Sequence, residues 1–564
     1  MTTSLRTRLG VAFNGLFLGC VIFFAVALAY NHVQLITHEY PLDYNEGGML
    51  VTTQSLVNGE NPYSVESQPA HISLYPILTN ILVAPLARAF GNTFELHRVF
   101  SAVFIIACCA ICYYLCRKES GRRTESFVAA ALCYAAFLHY STPVASTNSF
   151  GLFLFLAAIA IPWVQGFSTR SLAVSIVLGV LAFYTKQYFV ACLGYVALYV
   201  FLAESKKRAI YYGLATTCIF IVGLAVVAYT SPYYFEATFF AVGAAYAEYS
   251  GNQFVNRQLI EYMQIYLPLL VILASMIVYS RYSQRLRIAR AGKNIKSPLF
   301  VNLFDLDEPL LRLKPNYIWF CGACSLITFV LILGRNPGNH LTYLFQLISP
   351  FFIVGTFAFI SDMPKARWPF RILIVLAAYN SYVMLPRDFS VKEEGWRTIR
   401  HEISQADDIY ASTLVIEEAI ARGSPLYISG GTRYFKFAGA QPAFLMKTNE
   451  QDRVPAVWER HVKRIQTKIQ NKEFDLLLID KLMSLPKSHL DHAIDTDTLL
   501  RANYEMTAVI RLHLMKRFGR GGYLVQIWKP IRAKYGARAL QPRQVVCSRG
   551  GTHVPSDQVW SATL

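Results

Sequence analysis

Apolar stretches long enough to cross a bilayer, separated by short polar turns, fill roughly the first two-thirds of the chain and then cease. They fall at about 9–30, 97–116, 125–141, 147–164, 171–185, 188–203, 209–230, 259–280, 316–334, 341–361 and 368–385. The stretch 73–90 is apolar but short, and it holds Pro76 and Pro85. The positive-inside rule decides its place. If it spanned, the basic loop Arg117-Lys118 to Arg122-Arg123 would lie outside. If it lies along the interface as one or two juxtamembrane helices, that loop faces the cytoplasm. The later basic clusters then follow it: Arg170, Lys206-Lys207-Arg208, the run from Arg281 to Lys296, and Lys365, Arg367 and Arg371. The pattern therefore predicts a polytopic α-helical membrane protein with about eleven transmembrane helices over 1–386. Its N-terminus is cytoplasmic and its first external loop covers 31–96.

From about 387 the period changes to that of a soluble α/β unit. An amphipathic helix is predicted over 396–422, a strand and turn at 425–431, and a second helix near 453–470. Strands are predicted at 474–480, 505–514 and 522–528. Together they give a small external α/β domain over 387–532. Residues 533–564, rich in Gly, Ser, Pro and Arg, have no apolar period and read as disordered. No internal repeat and no matched pair of broken helices is visible.

Composition agrees. Of the 564 residues 54% are hydrophobic and 16% charged, with mean hydropathy +0.34, where soluble domains carry about 25% charged residues. The net charge of +18 resides largely in loops between apolar segments, where it sets topology and meets anionic lipid, so nucleic acid is not a partner. Met1 to Arg8 is short and basic, and no small-residue cleavage site follows the first apolar run, which reads as a retained span. Ten of the 11 cysteines lie in or beside apolar segments. Cys321-Gly322-Ala323-Cys324 has no second pair and reads as core filling.

The polar residues of the external side carry the candidate chemistry. Asp43-Tyr44-Asn45-Glu46-Gly47-Gly48 places two carboxylates in a Gly-containing loop just past the first span, where they are costly unless they bind or react. The same loop supplies His71 and Tyr75. The turn Thr185-Lys186-Gln187 supplies a cation, and the segment entering the tenth span supplies Arg335, Asn336, Asn339, His340, Tyr343 and Gln346. A carboxylate can take a proton from a hydroxyl nucleophile, and cations can hold a phosphate that gains charge as it leaves.

Several motifs follow in order: Asp43-Tyr44-x-Glu46-Gly47, Leu56-Val57-Asn58-Gly59-x-Asn61-Pro62-Tyr63, Leu74-Tyr75-Pro76-Ile77-Leu78, Phe90-Gly91 and Arg98-Val99-Phe100-Ser101. With Gly334-Arg335-Asn336-x-x-Asn339-His340-x-x-Tyr343, the set resembles the GT-C superfamily of membrane glycosyltransferases. It is similar to the bacterial branch, related to the lipid A aminoarabinose transferases and the protein O-mannosyltransferases. The resemblance extends over about 9–530 and rests on order and spacing.

It implies an enzyme of the bacterial plasma membrane with an external active site. The donor would be a polyprenyl-phosphate-linked sugar, and the acceptor a hydroxyl of an envelope glycan, lipid or protein. Asp43 would be the catalytic base and Glu46 a second acid for acceptor or metal. Lys186, Arg335 and His340 would bind the donor phosphate, and Gln187, Tyr343, Gln346, Tyr75 and His71 the substrates. Two departures stand out. The double proline near Tyr75 is reduced to Pro76, and Ser146-Thr147-Asn148-Ser149 lacks an acid that many relatives place there. The second weighs against a divalent cofactor, Mg or Mn, which the sequence leaves open.

Each residue also has a plainer reading. The acids can be solvated loop residues, Lys186 an anchor at a helix end, and His340 a neutral imidazole at a helix start. Gln187, Tyr343 and Gln346 can be hydrogen bonds between helices, and His71 and Tyr75 interfacial anchors. His32, His38 and Glu39 are too scattered for a metal and read as loop surface. Gly430-Gly431-Thr432-Arg433-Tyr434 lacks a phosphate-loop pattern and reads as a turn. A transporter or flippase of lipid-linked saccharides is the alternative function. It calls for mid-membrane ionisable residues, which are almost absent from the spans, and for repeated halves, which are not seen. A scaffold or receptor would leave Asp43, Lys186 and Arg335 without a purpose.

Overall fold

A computed structural model describes residues 2–43, 45–64, 66–67, 73, 75–139, 142–231, 233–240, 251–275, 278, 309–311, 314–335, 341–361, 367–385, 393–423, 427–429, 454–481, 496–513 and 522–531. Over these residues each apolar stretch of the sequence is helical. The first nine helices are α1 (Thr2–Ile36), α2 (Glu46–Val57), α3 (Leu78–Phe90), α4 (Phe94–Ser120), α5 (Arg123–Phe137), α6 (Asn148–Val164), α7 (Thr169–Phe183), α8 (Ala191–Ala203) and α9 (Lys206–Thr230). Further apolar helices cover Asn252–Ile265, Tyr317–Leu331, Ser349–Ser361 and Arg367–Val383.

The expected eleven spans are not all of spanning length. Four described helices are long and apolar enough to cross a membrane: Ala12–Ile36, Phe94–Ser120, Lys206–Thr230 and Tyr317–Arg335. A fifth arises if Asn252–Ile265 and Leu267–Ser275, bent by 79°, make one span. Shorter apolar helices include Asn148–Val164, Thr169–Phe183 and Gln187–Ala203. At 1.5 Å per residue, about 15 residues reach roughly 22 Å, less than the ~30 Å hydrocarbon layer. Short helices must bury their ends against neighbours. Accordingly α5 and α6 are buried on nearly every face, with Leu132, Ala135, Ala136, Leu152, Phe155 and Ala158 all at 0% exposure. This is an integral membrane protein with several spanning helices around an apolar core.

α3 buries Thr79, Asn80, Val83 and Ala87 and exposes Ile81, Leu82, Leu86 and Phe90. It is a one-sided helix too short to span. Glu46, Gly47 and Gly48, expected in a loop, open α2 instead. His32 is not loop surface either: it is buried in α1, with Nδ1 2.8 Å from the Tyr134 hydroxyl.

The C-terminal domain is a five-stranded sheet in the order β2-β1-β3-β5-β4. Its strands are β1 (Ile409–Ser412), β2 (Tyr427–Ser429), β3 (Leu476–Lys481), β4 (Tyr504–His513) and β5 (Gly522–Pro530). β1 runs parallel to β2 and β3, while β5 pairs antiparallel with β3 and β4. The long helix expected at 396–422 divides into the helix Glu393–Ser404, β1, and a short helix Ile416–Ala421. Its apolar period, Trp396, Ile399 and Ile403, ends at Asp407-Asp408, whose amides both donate to the Asp475 carboxylate. Ile409-Tyr410-Ala411 then enters the sheet beside Leu476 and Leu477. The other helices are Val454–Gln470 and Thr496–Asn503. Residues 430–434, the tail 533–564 and the run Arg281–Lys296 lie outside the described residues.

Candidate active site

The site is organised from α4. Thr93 caps this helix by accepting from the Leu96 amide at 3.2 Å, and Arg98 projects from its first turns. Arg98 Nε donates to Glu46 Oε1 at 2.9 Å and Nη2 to Glu46 Oε2 at 2.7 Å. The same guanidinium donates to the carbonyls of His38 and Tyr40. Glu46 also accepts from the Leu42 amide at 2.6 Å and the Ala145 amide at 2.8 Å. Both charged side chains are fully buried. Four donors saturate the Glu46 carboxylate. Burial opposes its charge, but Arg98 and the two amides prevail and hold it below the usual carboxylate range. A forked pair of this kind imposes geometry as well as attraction. It ties the backbone of His38, Tyr40 and Leu42 to one centre.

Asp43, next to Leu42, stands in the opposite environment. Its Oδ1 accepts from the Asn45 amide at 2.9 Å and from Asn45 Nδ2 at 3.1 Å. Among the described residues it forms no ion pair, and it is partly buried. Burial, with Glu46 adding to it, outweighs Asn45 and Lys186 and pushes its carboxyl up to about 6. A carboxylate titrating there is ionised at neutral pH yet able to take a proton.

Lys186 lies just beyond α7, at the cap of the short turn Gln187–Val190. It is 7% exposed, and its Nζ donates to Asn148 Oδ1 at 2.8 Å. Nζ sits 5.0 Å from the Tyr75 ring centroid and 5.5 Å from that of Tyr188, within cation–π range. Among the described residues no carboxylate lies within salt-bridge distance. Burial lowers its ammonium to about 8, with the Asp43 charge acting the other way. Acid and lysine thus sense each other across a gap without touching.

A neutral frame stands behind the lysine. The Tyr188 hydroxyl donates to Gln346 Oε1 at 2.5 Å, and Gln346 Nε2 donates to Thr142 Oγ1 at 2.9 Å. Tyr343 packs edge-on to Tyr188, centroids 4.8 Å apart. The Leu78 amide donates to the Tyr184 carbonyl at 3.0 Å, tying the first loop to the end of α7. The Tyr63 hydroxyl donates to the Tyr75 carbonyl.

Tyr75, Lys186, Tyr343 and Gln346 thus gather around Tyr188, with Asp43 close enough for its charge to act on Lys186. Gln187 turns aside, its Nε2 donating to the Thr238 carbonyl at 2.8 Å. Arg335 is exposed, and among the described residues no contact joins it to Asp43 or Lys186. His71, Asn336, Asn339 and His340 lie outside the described residues. Arg98, Asn148, Tyr188 and Thr142 belong to the assembly, although the sequence reading gave none of them a role. Arg98 carried a readable signal, an ionisable residue at the head of an apolar run.

No three His, Cys, Asp or Glu side chains among the described residues are grouped to hold a metal. A divalent cation needs carboxylate oxygens with lone pairs to spare. Those of Glu46 are spent, and Asn148 is engaged by an ammonium. Asp43, among the described residues, keeps Oδ2 outside its bonds to Asn45.

No family model matches the chain, and no curated protein matches it by sequence. Solved structures do match in shape, and this chain shares the fold of two crystal structures of one membrane protein over most of its length. The crystal structure of the lipid A aminoarabinose transferase ArnT from Cupriavidus metallidurans in the apo state aligns with a TM-score of 0.55 at 11% identity. Its complex with undecaprenyl phosphate gives 0.54 at 12%. Both alignments cover 90% of this chain and 98% of the other. An oligosaccharyltransferase from Archaeoglobus fulgidus aligns at 0.43 and 12% identity, covering 90% of this chain and 74% of that one. At such identities the likeness is one of fold.

Proposed function

We propose that this chain is a glycosyltransferase that moves a sugar from a polyprenyl-phosphate donor to a hydroxyl group of an envelope glycan, lipid or protein. The observation that carries this reading is the pair formed by Asp43 and Lys186. The buried Lys186 ammonium is held, among the described residues, by an amide oxygen and two aromatic rings, and the Asp43 carboxylate, its pKa raised by burial, acts on it electrostatically. A buried cation held by an amide oxygen and two aromatic rings is set to receive an anion. The shared fold with ArnT, solved with undecaprenyl phosphate bound, supports a lipid phosphate as that anion.

Asp43 takes the acceptor hydroxyl proton as its oxygen attacks the anomeric carbon. The bond from that carbon to the phosphate oxygen breaks, and the electron pair leaves with the lipid phosphate. Lys186 meets the charge that gathers on the leaving oxygen. Attack from the face opposite the phosphate inverts the anomeric configuration. Tyr75, Tyr188 and Gln346 keep the ammonium in place, with Arg335 and His340 completing the phosphate site. Glu46 positions the turn rather than reacting. The site lies on the external face of a bacterial plasma membrane, the side where basic residues are sparse, and the N-terminus is cytoplasmic.

The test uses purified protein in lipid discs with a panel of polyprenyl-phosphate sugars, following release of free polyprenyl phosphate. Wild-type turnover with a loss of about 10²-fold or more in Asp43→Asn is the expected result. Equal turnover in both removes Asp43 as the base. Binding of lipid-linked sugar with no release from any donor would favour a flippase.

A further inference from the structure

The C-terminal domain is built onto the turn that carries Asp43. Trp396 and Arg400, one turn apart on the helix Glu393–Ser404, share a face, and that face meets Tyr40. The Trp396 ring, fully buried, stacks on the Tyr40 ring with centroids 5.0 Å apart and planes 20° apart. The Arg400 guanidinium lies 4.8 Å from the same ring centroid. Arg400 also pairs with the Glu39 carboxylate and, at 2.8 Å, with Glu418.

Two further contacts join the parts. The Glu417 carboxylate accepts from the Phe94 amide at 2.8 Å, so a residue of the C-terminal domain caps α4. Val457 packs with Tyr63, Tyr233 and Tyr234. Tyr40, Leu50, Val51, Phe94 and Ala145 share one apolar core with Trp396, Ile399, Ile403 and Ile416.

Tyr40 is the joint of this arrangement. Its ring belongs to the C-terminal domain, while its carbonyl accepts from Arg98 Nη2 at 2.9 Å. Arg98 in turn holds Glu46, and Glu46 holds the Leu42 amide next to Asp43. α4, which carries Arg98, is capped from the same domain. We propose that the C-terminal domain is a positioning element for the base, with Trp396 and Arg400 fixing Asp43 through Glu39, Tyr40 and Arg98. The inference rests on the transferase reading of Asp43. It assigns the domain a role in the chemical step rather than in acceptor affinity. A displacement of about 1 Å at a base is enough to cost roughly 10²-fold in rate.

The experiment compares full-length wild type, Trp396→Leu, Trp396→Phe and Arg400→Ala in lipid discs, with two readouts. The first is hydrogen exchange of the amides of 39–46; the second is kcat and acceptor KM from polyprenyl phosphate release. Exchange at 39–46 is expected to quicken by about tenfold or more in Trp396→Leu. kcat is expected to fall by about tenfold or more with acceptor KM within about twofold, and the aromatic Trp396→Phe to restore most of both. Unchanged protection at 39–46 overturns the proposal. So does an intact kcat with a raised acceptor KM, which would make the domain an acceptor-binding module. Arg400→Ala, at a partly exposed position, decides the matter if Trp396→Leu does not fold. Should Asp43→Asn be as active as wild type, the transferase reading fails at its base, while the exchange readout still tests the brace.

Discussion

Asp43 and Glu46 lie three residues apart, and their surroundings predict opposite responses to the loss of a charge. Glu46→Gln is nearly isosteric, but it replaces an acceptor oxygen by an amide donor. Whichever way the amide is placed, two N–H donors then face an NH₂: either Arg98 Nη2 and the Leu42 amide, or Arg98 Nε and the Ala145 amide. The buried Arg98 charge also loses its counter-ion. Breaking one side of a buried pair costs about 3–5 kcal/mol. At roughly 2 °C per kcal/mol for a large domain, the thermal midpoint should fall by roughly 5–10 °C.

Asp43→Asn keeps the Oδ1 acceptor for Asn45 and removes a charge that burial disfavours. The folded carboxyl titrates at about 6 against an ordinary 3.8. The penalty on the charged form is therefore absent below that ordinary value and complete once pH has risen past about 6. Two pKa units correspond to about 3 kcal/mol, an upper limit because the group is only partly buried. Some of the gain is returned because Lys186 loses the Asp43 charge that favours its ammonium form. At pH 8, Asp43→Asn should thus be as stable as wild type or more so, while turnover falls by about 10²-fold. Thermal unfolding of the detergent-solubilised variants, scanned at one fixed rate, measures both. If Asp43→Asn lowers the midpoint as far as Glu46→Gln does, the assignment of strain is wrong. If Glu46→Gln abolishes turnover at an unchanged midpoint, Glu46 is the reacting acid.

Three more outcomes are expected. The pH profile of kcat/KM should rise through about 6 as Asp43 ionises and fall above about 8 as Lys186 loses its proton; a profile flat from 5 to 9 would contradict both roles. Asn148→Asp gives Lys186 an anionic partner within hydrogen-bonding reach, so donor KM should rise about tenfold or more, and an unchanged donor KM would place the phosphate elsewhere. Gly151→Ala would drive a methyl to within 2.4 Å of both the Phe189 ring and Thr185 Oγ1. It should cost about 1–3 kcal/mol in stability and reduce turnover by displacing the turn that carries Lys186, which paired unfolding and rate measurements on the variant would reveal.

Much of the helical part was legible because the signal is local. A run such as Phe94–Ser120 must be helical to satisfy its backbone in lipid, and the apolar pattern finds it. Helix length was less legible, since a turn like Thr185-Lys186-Gln187 ends α7 without breaking the hydrophobicity around it. In the C-terminal domain β3 was readable as a short apolar run, and β4 and β5 as strands near 505–514 and 522–528. β1 was masked by a helical period that ran up to its first residue, and only the Asp475 carboxylate on the amides of Asp407 and Asp408 marks the change. At the site, residue types pointed to Asp43 and Lys186. The contrast in surroundings between Asp43 and Glu46 did not show, because it depends on Arg98 and the Ala145 amide, 52 and 99 residues from Glu46.

The contrast between the two charged centres bears on how such a site turns over. Glu46 and Arg98 form a closed pair: each satisfies the other, and nothing from outside can compete for either at tolerable cost. Had Lys186 been paired in the same way, a phosphate would have to displace a carboxylate to bind. The lysine instead rests on Asn148, Tyr75 and Tyr188, which stabilise an ammonium without neutralising it. On the proposed reading, an incoming phosphodiester monoanion then gains the full interaction, and the leaving phosphate monoester gains more of it as its charge rises. Asp43 must remain near but out of contact, since a direct ion pair with Lys186 would lower its pKa and weaken it as a base. On the proposed reading the forked bond between Glu46 and Arg98, which holds the Leu42 amide beside Asp43, serves the reaction by keeping the second pair apart.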